Sequence, residues 1–380
     1  MTASDDARER GTDEARLPTR IVIAGGGTGG HLMPALAIAA ALREARPEVE
    51  PVLVGARRGV EATLLPRRPF RFHLLSAEPL HRRAWWRNAR WAVAPWRLVV
   101  ECRRVLATER PAVVVGTGGY AAAPMLLAAV LAGVPIVLQE QNALPGLTTR
   151  WFARRARQVH LGFPEAERHL HVGPRARVWC LGNPIVPPYG APTRAAARAA
   201  LGIAPAARVV FVFGGSQGAH RLNAVVAELA DAGRLEDVTL CWSTGPGQWE
   251  AYGRYAAPPR RLVRRFWDPI AEAYAAADLV VSRAGAMTTA ELCAFGLPAV
   301  LVPLPSAAAD HQTQNAEALR TAGAALHLPE ARLTADALLE AVQSILGHPE
   351  TASRMRAAAL ARGRPEAARR IAEAITALVS

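Results

Sequence analysis

The sequence predicts an α/β protein built from two Rossmann-like halves, each a parallel sheet covered by helices. Three observations predict it. From Ile21 onward, short β-rich runs alternate with Ala- and Leu-rich helical segments, the order that places helices on both faces of a parallel sheet. The runs fall into two series, separated by GNPIVPPYGAP at residues 182–192, whose proline density reads as a linker. At 380 residues the chain also exceeds the usual size of one domain.

Strands of the first series are predicted at residues 21–24, 52–54, 112–115 and 136–138. Those of the second are predicted at 209–213, around Leu240, at 279–281 and at 300–302. The expected division is a disordered polar tail over 1–18, a first domain over 19–185 and a second over 186–364. The last stretch, 365–380, carries Ile371, Ile375 and Leu378 at helical spacing. It is expected to form an amphipathic helix that crosses back to complete the first domain.

Composition narrows the class. Half the residues are apolar, but Arg, Gly or Pro interrupts every long apolar stretch, so no run of about 20 residues is available to span a bilayer. The N-terminus lacks an apolar signal core, which points to the cytoplasm. Cys102, Cys180, Cys241 and Cys293 lie far apart with no CxxC spacing; they fit buried bystanders in a reducing compartment, without structural zinc. The net charge of +13 is carried by Arg with no Lys. Two readings stay open: a compositional bias of the genome, or attraction to an anionic surface. No zinc-finger, RNP-like or basic-zipper pattern supports a nucleic-acid partner.

Three glycine loops each follow a strand and open a helix: GGGTGG at 25–30, GTGGY at 116–120 and GGSQGA at 214–219. Glycine lets several backbone N–H groups converge on an anion at the positive end of a helix. The first loop also satisfies GxGxxG, which raises a dinucleotide-dependent dehydrogenase. That fingerprint needs an acidic residue at the end of the second strand, where this chain has Gly55-Ala56-Arg57-Arg58. Arg57 and Arg58 leave a 2′-phosphate, hence NADP, as the variant to consider. No loop ends in Gly-Lys-Ser or Gly-Lys-Thr, so a P-loop kinase is not predicted.

GGGTGGHLMPALAIA, GTGGYAAAP, EQNALPG, LGNP, GGSQGA and SRAGAMTTAELCAFGLPAVLVPLPSAAADHQTQNA follow one another along the chain. In these motifs and their order, nearly everything after Arg20 resembles the MurG family of UDP-N-acetylglucosamine transferases. The resemblance implies a GT-B fold, with two Rossmann-like domains facing a cleft. It also implies transfer of N-acetylglucosamine to a polyprenyl-pyrophosphate-linked muramyl acceptor in peptidoglycan synthesis, with other cell-wall synthesis proteins as possible partners. Neither a cofactor nor a metal is implied, and no Asp-x-Asp motif is present.

The resemblance carries site roles residue by residue. Glu291 is implied as acceptor for the ribose hydroxyls, and Ser216 as diphosphate ligand. The segment Ala286, Met287, Thr288, Thr289 and Ala290 lies at an implied helix start that offers backbone N–H groups. Gln312 and Asn142 are implied to bind sugar hydroxyls, and the Trp267 backbone the uracil. Thr28, Gly29 and Gly30 form the wall of the cleft. His31 is the general-base candidate, because imidazole as a side-chain type titrates near working pH. Tyr120 and Glu140 are acceptor-side candidates. Five of them have a plainer reading: a helix-surface Glu291, cap or loop roles for Asn142 and Gln312, a packed Trp267, and a His31 that caps its helix or binds the acceptor pyrophosphate.

A lipid acceptor requires a route to the bilayer surface. Residues 80–100 interleave Trp85, Trp86, Trp91 and Trp96 with Arg82, Arg83, Arg87, Arg90 and Arg97, with no acidic residue. Such a mixture suits an anionic membrane interface, or packs its tryptophans on the sheet and leaves its arginines to water. The expected location is peripheral, on the cytoplasmic face of the plasma membrane. One position departs from the family: its motif GNPVR or GNPIR ends in an Arg at the donor site, whereas this chain has Val186. The departure supports one rival, a paralogue with another prenyl-phosphate acceptor; the intact Ser216, Glu291, Gln312 and His31 count against a non-catalytic nucleotide-sugar scaffold, and the GGGTGGH and GTGGY loops against a UDP-sugar 2-epimerase.

Overall fold

A computed structural model describes residues 18–78, 94–215 and 217–379. The polar tail, the segment 79–93 with Trp85, Trp86 and Trp91, and Ser216 lie outside the described residues.

Two parallel sheets organise the chain. The first contains β1 (Thr19–Gly25), β2 (Val49–Ala56), β3 (Arg71–Leu75), β4 (Val113–Gly118), β5 (Ile136–Glu140), β6 (Gln158–Leu161) and β7 (Arg177–Trp179). Its strand order is 3-2-1-4-5-6-7. The second contains β8 (Val209–Phe213), β9 (Thr239–Ser243), β10 (Arg261–Arg264), β11 (Leu279–Ser282), β12 (Ala299–Leu301) and β13 (Ala325–His327), in the order 10-9-8-11-12-13. Val22, Val114, Phe211 and Val280 are fully buried, because central strands of a parallel sheet are covered on both faces.

Helices of the first lobe are α1 (Gly29–Ala45), α2 (Glu61–Leu64), α3 (Ala94–Glu109), α4 (Ala122–Leu131) and α5 (Leu147–Phe152). The second lobe adds α6 (Arg194–Ala200), α7 (His220–Asp231), α8 (Trp249–Tyr252), α9 (Ile270–Ala276), α10 (Ala286–Phe295), α11 (His311–Thr321), α12 (Ala335–Leu346) and α13 (Pro349–Arg362). The chain ends in α14 (Ala367–Val379), which packs on α1 of the first lobe. Ile371 and Ile375 are fully buried there, in one cluster with Ile21, Leu32 and Ile38. Burial of each contributes about 1.5–3 kcal/mol relative to exposure. Arg362, at the end of α13, adds a bidentate pair with Glu165, at 2.9 and 2.8 Å.

Both sheets reverse their strand order at one place, between β1 and β4 and between β8 and β11. Ligands of open α/β sheets bind beyond the carboxyl ends of the strands at such switch points. The loops after β1 and β4 are GGGTGG and GTGGY, and those after β8 and β11 lead into α7 and α10. The motifs therefore converge where this topology opens a crevice. Two expectations change: Cys180 is exposed rather than buried, and β3, β6, β7, β10 and β13 were not predicted.

Candidate active site

The first two glycine loops form a single surface, and His31 is set into it. His31 lies in the first turn of α1, with its imidazole over Gly118 and Gly119. A Cβ on Gly118 would approach the ring Nδ1 to 2.9 Å, and one on Gly119 would meet the Gly26 carbonyl at 1.9 Å. Both glycines have positive φ, +93° and +80°, so conformation and space each call for glycine.

Hydrogen bonds determine which nitrogen of His31 is free. Nδ1 lies 3.1 Å from the Thr117 carbonyl and 3.0 Å from Gln141 Oε1. The orientation of Gln141 follows from its Nε2, which donates to the carbonyls of Thr117 and Gln139, both at 2.9 Å, and to Gln139 Oε1 at 2.5 Å. Both partners of Nδ1 are therefore acceptors. The neutral ring must carry its proton on Nδ1, which leaves the lone pair on Nε2. Thr117 Oγ1 returns a hydrogen bond to the His31 carbonyl at 2.8 Å. A histidine held in this way can accept a proton through Nε2.

Buried amides connect His31 to the second lobe. Gln139 Nε2 donates to Asn183 Oδ1 at 3.2 Å, and Asn183 Nδ2 donates to the carbonyls of Gln141 at 2.9 Å and Ala286 at 3.3 Å. Ala286 is the first residue of α10. A second bridge runs through Asn315 on α11, which accepts from the Ala143 N–H at 2.8 Å and donates to Asn142 Oδ1 at 3.2 Å and the Ala284 carbonyl at 3.1 Å. Gln139, Gln141, Asn183 and Asn315 are all buried, where unpaired amides are costly. These bonds hold the two switch points facing one another.

On the donor side, α10 begins at Ala286 after a glycine in extended geometry. The amides of Ala286, Met287 and Thr288 have no intrahelical acceptor and present a positive helix end. The Thr289 N–H returns to the Gly285 carbonyl, and its buried hydroxyl donates to the Ala286 carbonyl at 2.9 Å, so the Thr289 side chain closes the turn. Ala290 is half-buried beside it. Glu291 follows on the same helix, and its Oε2 accepts from Tyr274 Oη at 2.9 Å. Burial pushes the Glu291 carboxyl up to about 7, with the Tyr274 hydrogen bond pulling the other way. Burial and the neighbouring Glu291 raise the Tyr274 phenol well above its ordinary value.

The other predicted residues divide. Thr28, Gly29 and Gly30 are exposed, and the Thr28 side chain makes no cap bond. Tyr120 is half-buried against the first loop. Gln312 accepts from the Leu304 N–H through Oε1 at 3.0 Å, which directs its NH2 elsewhere. Asn142 donates to Glu140 and accepts from Asn315. Glu140 is buried, with four donors on its carboxylate: Asn142 N, Asn142 Nδ2, Gly146 N and Thr149 Oγ1, at 3.0, 3.2, 3.0 and 2.6 Å. It therefore braces its own loop rather than offering a free oxygen to an acceptor. The Trp267 side chain is buried, edge-on to Phe211 at 5.7 Å, with the Arg264 guanidinium 4.0 Å from its ring centre. This is packing and leaves no indole face for a base. Arg57 pairs with Glu101 at 3.2 Å and Arg58 with Glu78 at 2.8 Å, which counts against a 2′-phosphate site. Val186 is 80% exposed.

Sequence reasoning missed Gln141, Thr117, Asn183, Asn315 and Tyr274. Thr117, Gln141, Asn183 and Asn315 lie inside motifs named above, where buried partners give no local signal. Tyr274 meets Glu291 only through the packing of α9 on α10.

Two Rossmann-like lobes with glycine loops and a helix start facing across the junction define a GT-B glycosyltransferase. Residues 21–161 match the glycosyltransferase family 28 N-terminal domain, and residues 209–371 the glycosyltransferase family 28 C-terminal domain. The chain belongs to this family and, within it, to the MurG group. It is 43% identical over 364 residues to the UDP-N-acetylglucosamine--N-acetylmuramyl-(pentapeptide) pyrophosphoryl-undecaprenol N-acetylglucosamine transferase of Salinibacter ruber, covering 94% of this chain and 96% of that one. It is 40% identical to the protein of that name from Moorella thermoacetica, over 94% and 98%. The crystal structure of Acinetobacter baumannii MurG superposes with a TM-score of 0.75 at 27% identity, over 95% and 100%. A UDP-N-acetylglucosamine 2-epimerase structure, at 15% identity and a TM-score of 0.63, shares the fold alone.

Proposed function

We propose that this protein transfers N-acetylglucosamine from UDP-N-acetylglucosamine to the 4-hydroxyl of a muramyl-pentapeptide acceptor carried on undecaprenyl pyrophosphate. The observation that carries the reading is His31, whose Nδ1 is held by Gln141 and Thr117 at the first switch point, tied through Asn183 to the start of α10, and whose Nε2 has no hydrogen-bond partner among the described residues. In one displacement the muramyl oxygen bonds to the anomeric carbon as the bond from that carbon to the UDP oxygen breaks. His31 Nε2 takes the hydroxyl proton. Attack from the face opposite the leaving group inverts the anomeric centre. The charge left on the β-phosphate falls to the amides opening α10, donors set in place before reaction. Glu291 accepts from the ribose hydroxyls and Gln312 donates to the sugar.

Purified protein incubated with radiolabelled UDP-N-acetylglucosamine, a lipid-linked muramyl acceptor and EDTA is expected to yield a disaccharide-lipid. Donor binding without transfer would favour a scaffold or another acceptor. Appearance of the 2-epimer would favour the isomerase.

The acceptor is a lipid, and no described helix is long and apolar enough to cross a membrane. The reading therefore places the enzyme peripherally, at the cytoplasmic face. Neighbouring helices support this: Trp96 is 72% exposed on α3 and Leu131 75% exposed on α4, with Trp151 exposed on α5. Arg97, Arg103, Arg104 and Arg150 on α3 and α5 are exposed as well. Exposed indoles among cations suit an anionic interface. Trp96→Glu with Leu131→Glu is expected to reduce co-sedimentation with anionic vesicles about tenfold or more, and binding by the unaltered protein to weaken with salt. Unchanged binding by the folded double variant would remove this surface from consideration.

A further inference from the structure

The first glycine loop rests on a carboxyl group that neither its motif nor the proposed reaction uses. Glu61 opens α2, five residues beyond the end of β2, and is completely buried. Its side chain fills a space kept open by three glycines. Ideal Cβ atoms on Gly26, Gly55 and Gly59 would lie 1.6, 2.6 and 1.7 Å from Glu61 atoms. Oε1 accepts a hydrogen bond from the Gly27 N–H, while Oε2 is buried with no hydrogen-bond partner among the described residues. On the other side of the loop, a Cβ on Gly27 would lie 2.3 Å from the Tyr120 ring. Gly26 and Gly27 are thus clamped between Glu61 and Tyr120, immediately before Thr28, Gly29, Gly30 and His31.

We infer that Glu61 is a positioning residue: by holding the Gly27 N–H from below, it sets the path of the loop that presents the Thr28–Gly30 segment and His31 to the acceptor. The inference rests on the proposed function for its catalytic readout. The clamp itself is a statement about one hydrogen bond.

Two features specify the chemistry required at this position. The Gly27 amide is engaged by Glu61, so anion-binding capacity in this loop belongs to the residues after it. Burial also pushes the Glu61 carboxyl up, so the site penalises the charge, while the Gly27 N–H needs only an acceptor oxygen. One acceptor oxygen of the right reach is then sufficient, and the amide of glutamine supplies it.

The full-length protein is compared with Glu61→Gln and Glu61→Leu. Hydrogen exchange at the Gly27 amide reads the clamp whether or not His31 is the base. It is expected to be slow in the unaltered protein and in Glu61→Gln, and about tenfold faster or more in Glu61→Leu. In the transfer assay, Glu61→Gln is expected to stay within about threefold of the unaltered protein. Glu61→Leu is expected to lose about tenfold or more in kcat/KM for the acceptor, with the Kd for UDP within about twofold. Should Glu61→Leu fail to fold, Gly26→Ala, whose new methyl displaces Glu61, is read in the same way.

Three results would overturn the inference: unchanged Gly27 exchange and acceptor kcat/KM in Glu61→Leu, a loss in Glu61→Gln as large as in Glu61→Leu, or a parallel loss of UDP binding. If exchange responds as expected while His31→Ala retains full turnover, the clamp stands and the assignment of the base falls.

Discussion

His31→Ala is expected to lower kcat by about 10²–10⁴, the usual contribution of a positioned general base, while the Kd for UDP stays within about twofold. The separation follows from the geometry. His31 belongs to the first lobe, with Nδ1 bonded to Thr117 and Gln141, whereas the helix start and carboxyl assigned to UDP belong to α10 in the second. Steady-state turnover with saturating acceptor and titration calorimetry with UDP measure the two independently. Turnover equal to the unaltered protein would remove His31 as the base. An equal loss of UDP affinity would make it a structural residue at the junction.

Glu291 should make donor binding depend on pH. Its carboxyl sits at about 7 in this protein because burial penalises the charge. Ribose hydroxyls donate to the ionised form, so donor binding releases a proton wherever the free enzyme holds one. Affinity is then fully present above about pH 7 and declines as pH falls through that value, by up to about tenfold per unit. Glu291→Gln should flatten this dependence and weaken UDP binding by about 1.5–3 kcal/mol, roughly 10- to 150-fold. Calorimetry with UDP between pH 5.5 and 8.5 tests both claims, the range being set about the ~7 midpoint. A flat profile in the unaltered protein would show that the carboxylate does not accept the ribose hydroxyls.

The central strands were legible because each is an uninterrupted apolar run rich in β-branched residues: 209–213 was predicted residue for residue, and Ile21–Ala24 lies inside β1. The strands that escaped notice are RFHLL, QVHL, RVW, RLVR and ALH. They are three to five residues long, and every one carries Arg or His. Such strands exist because a neighbour supplies the hydrogen-bond ladder, which overrides weak local preference. The same division runs through the site. Glycine loops and the His31 position are written in contiguous residues, while Tyr274 with Glu291, and Glu61 with Gly27, are joined only by the fold.

By itself the sequence determined two parallel-sheet halves, the family, and the candidate residues that motifs deliver, because periodicity and loop chemistry are local properties. Tertiary structure alone decided what those residues can do. It directed the free nitrogen of His31 through Gln141 and Thr117, and its burial of the Glu291 carboxyl raised that group's pKa. It also enclosed Glu140 within its own loop and moved the Trp267 indole into the core. The physical reason is that protonation, hydrogen-bond direction and exposure are set by neighbours from distant parts of the chain, and only the packed fold brings those neighbours together.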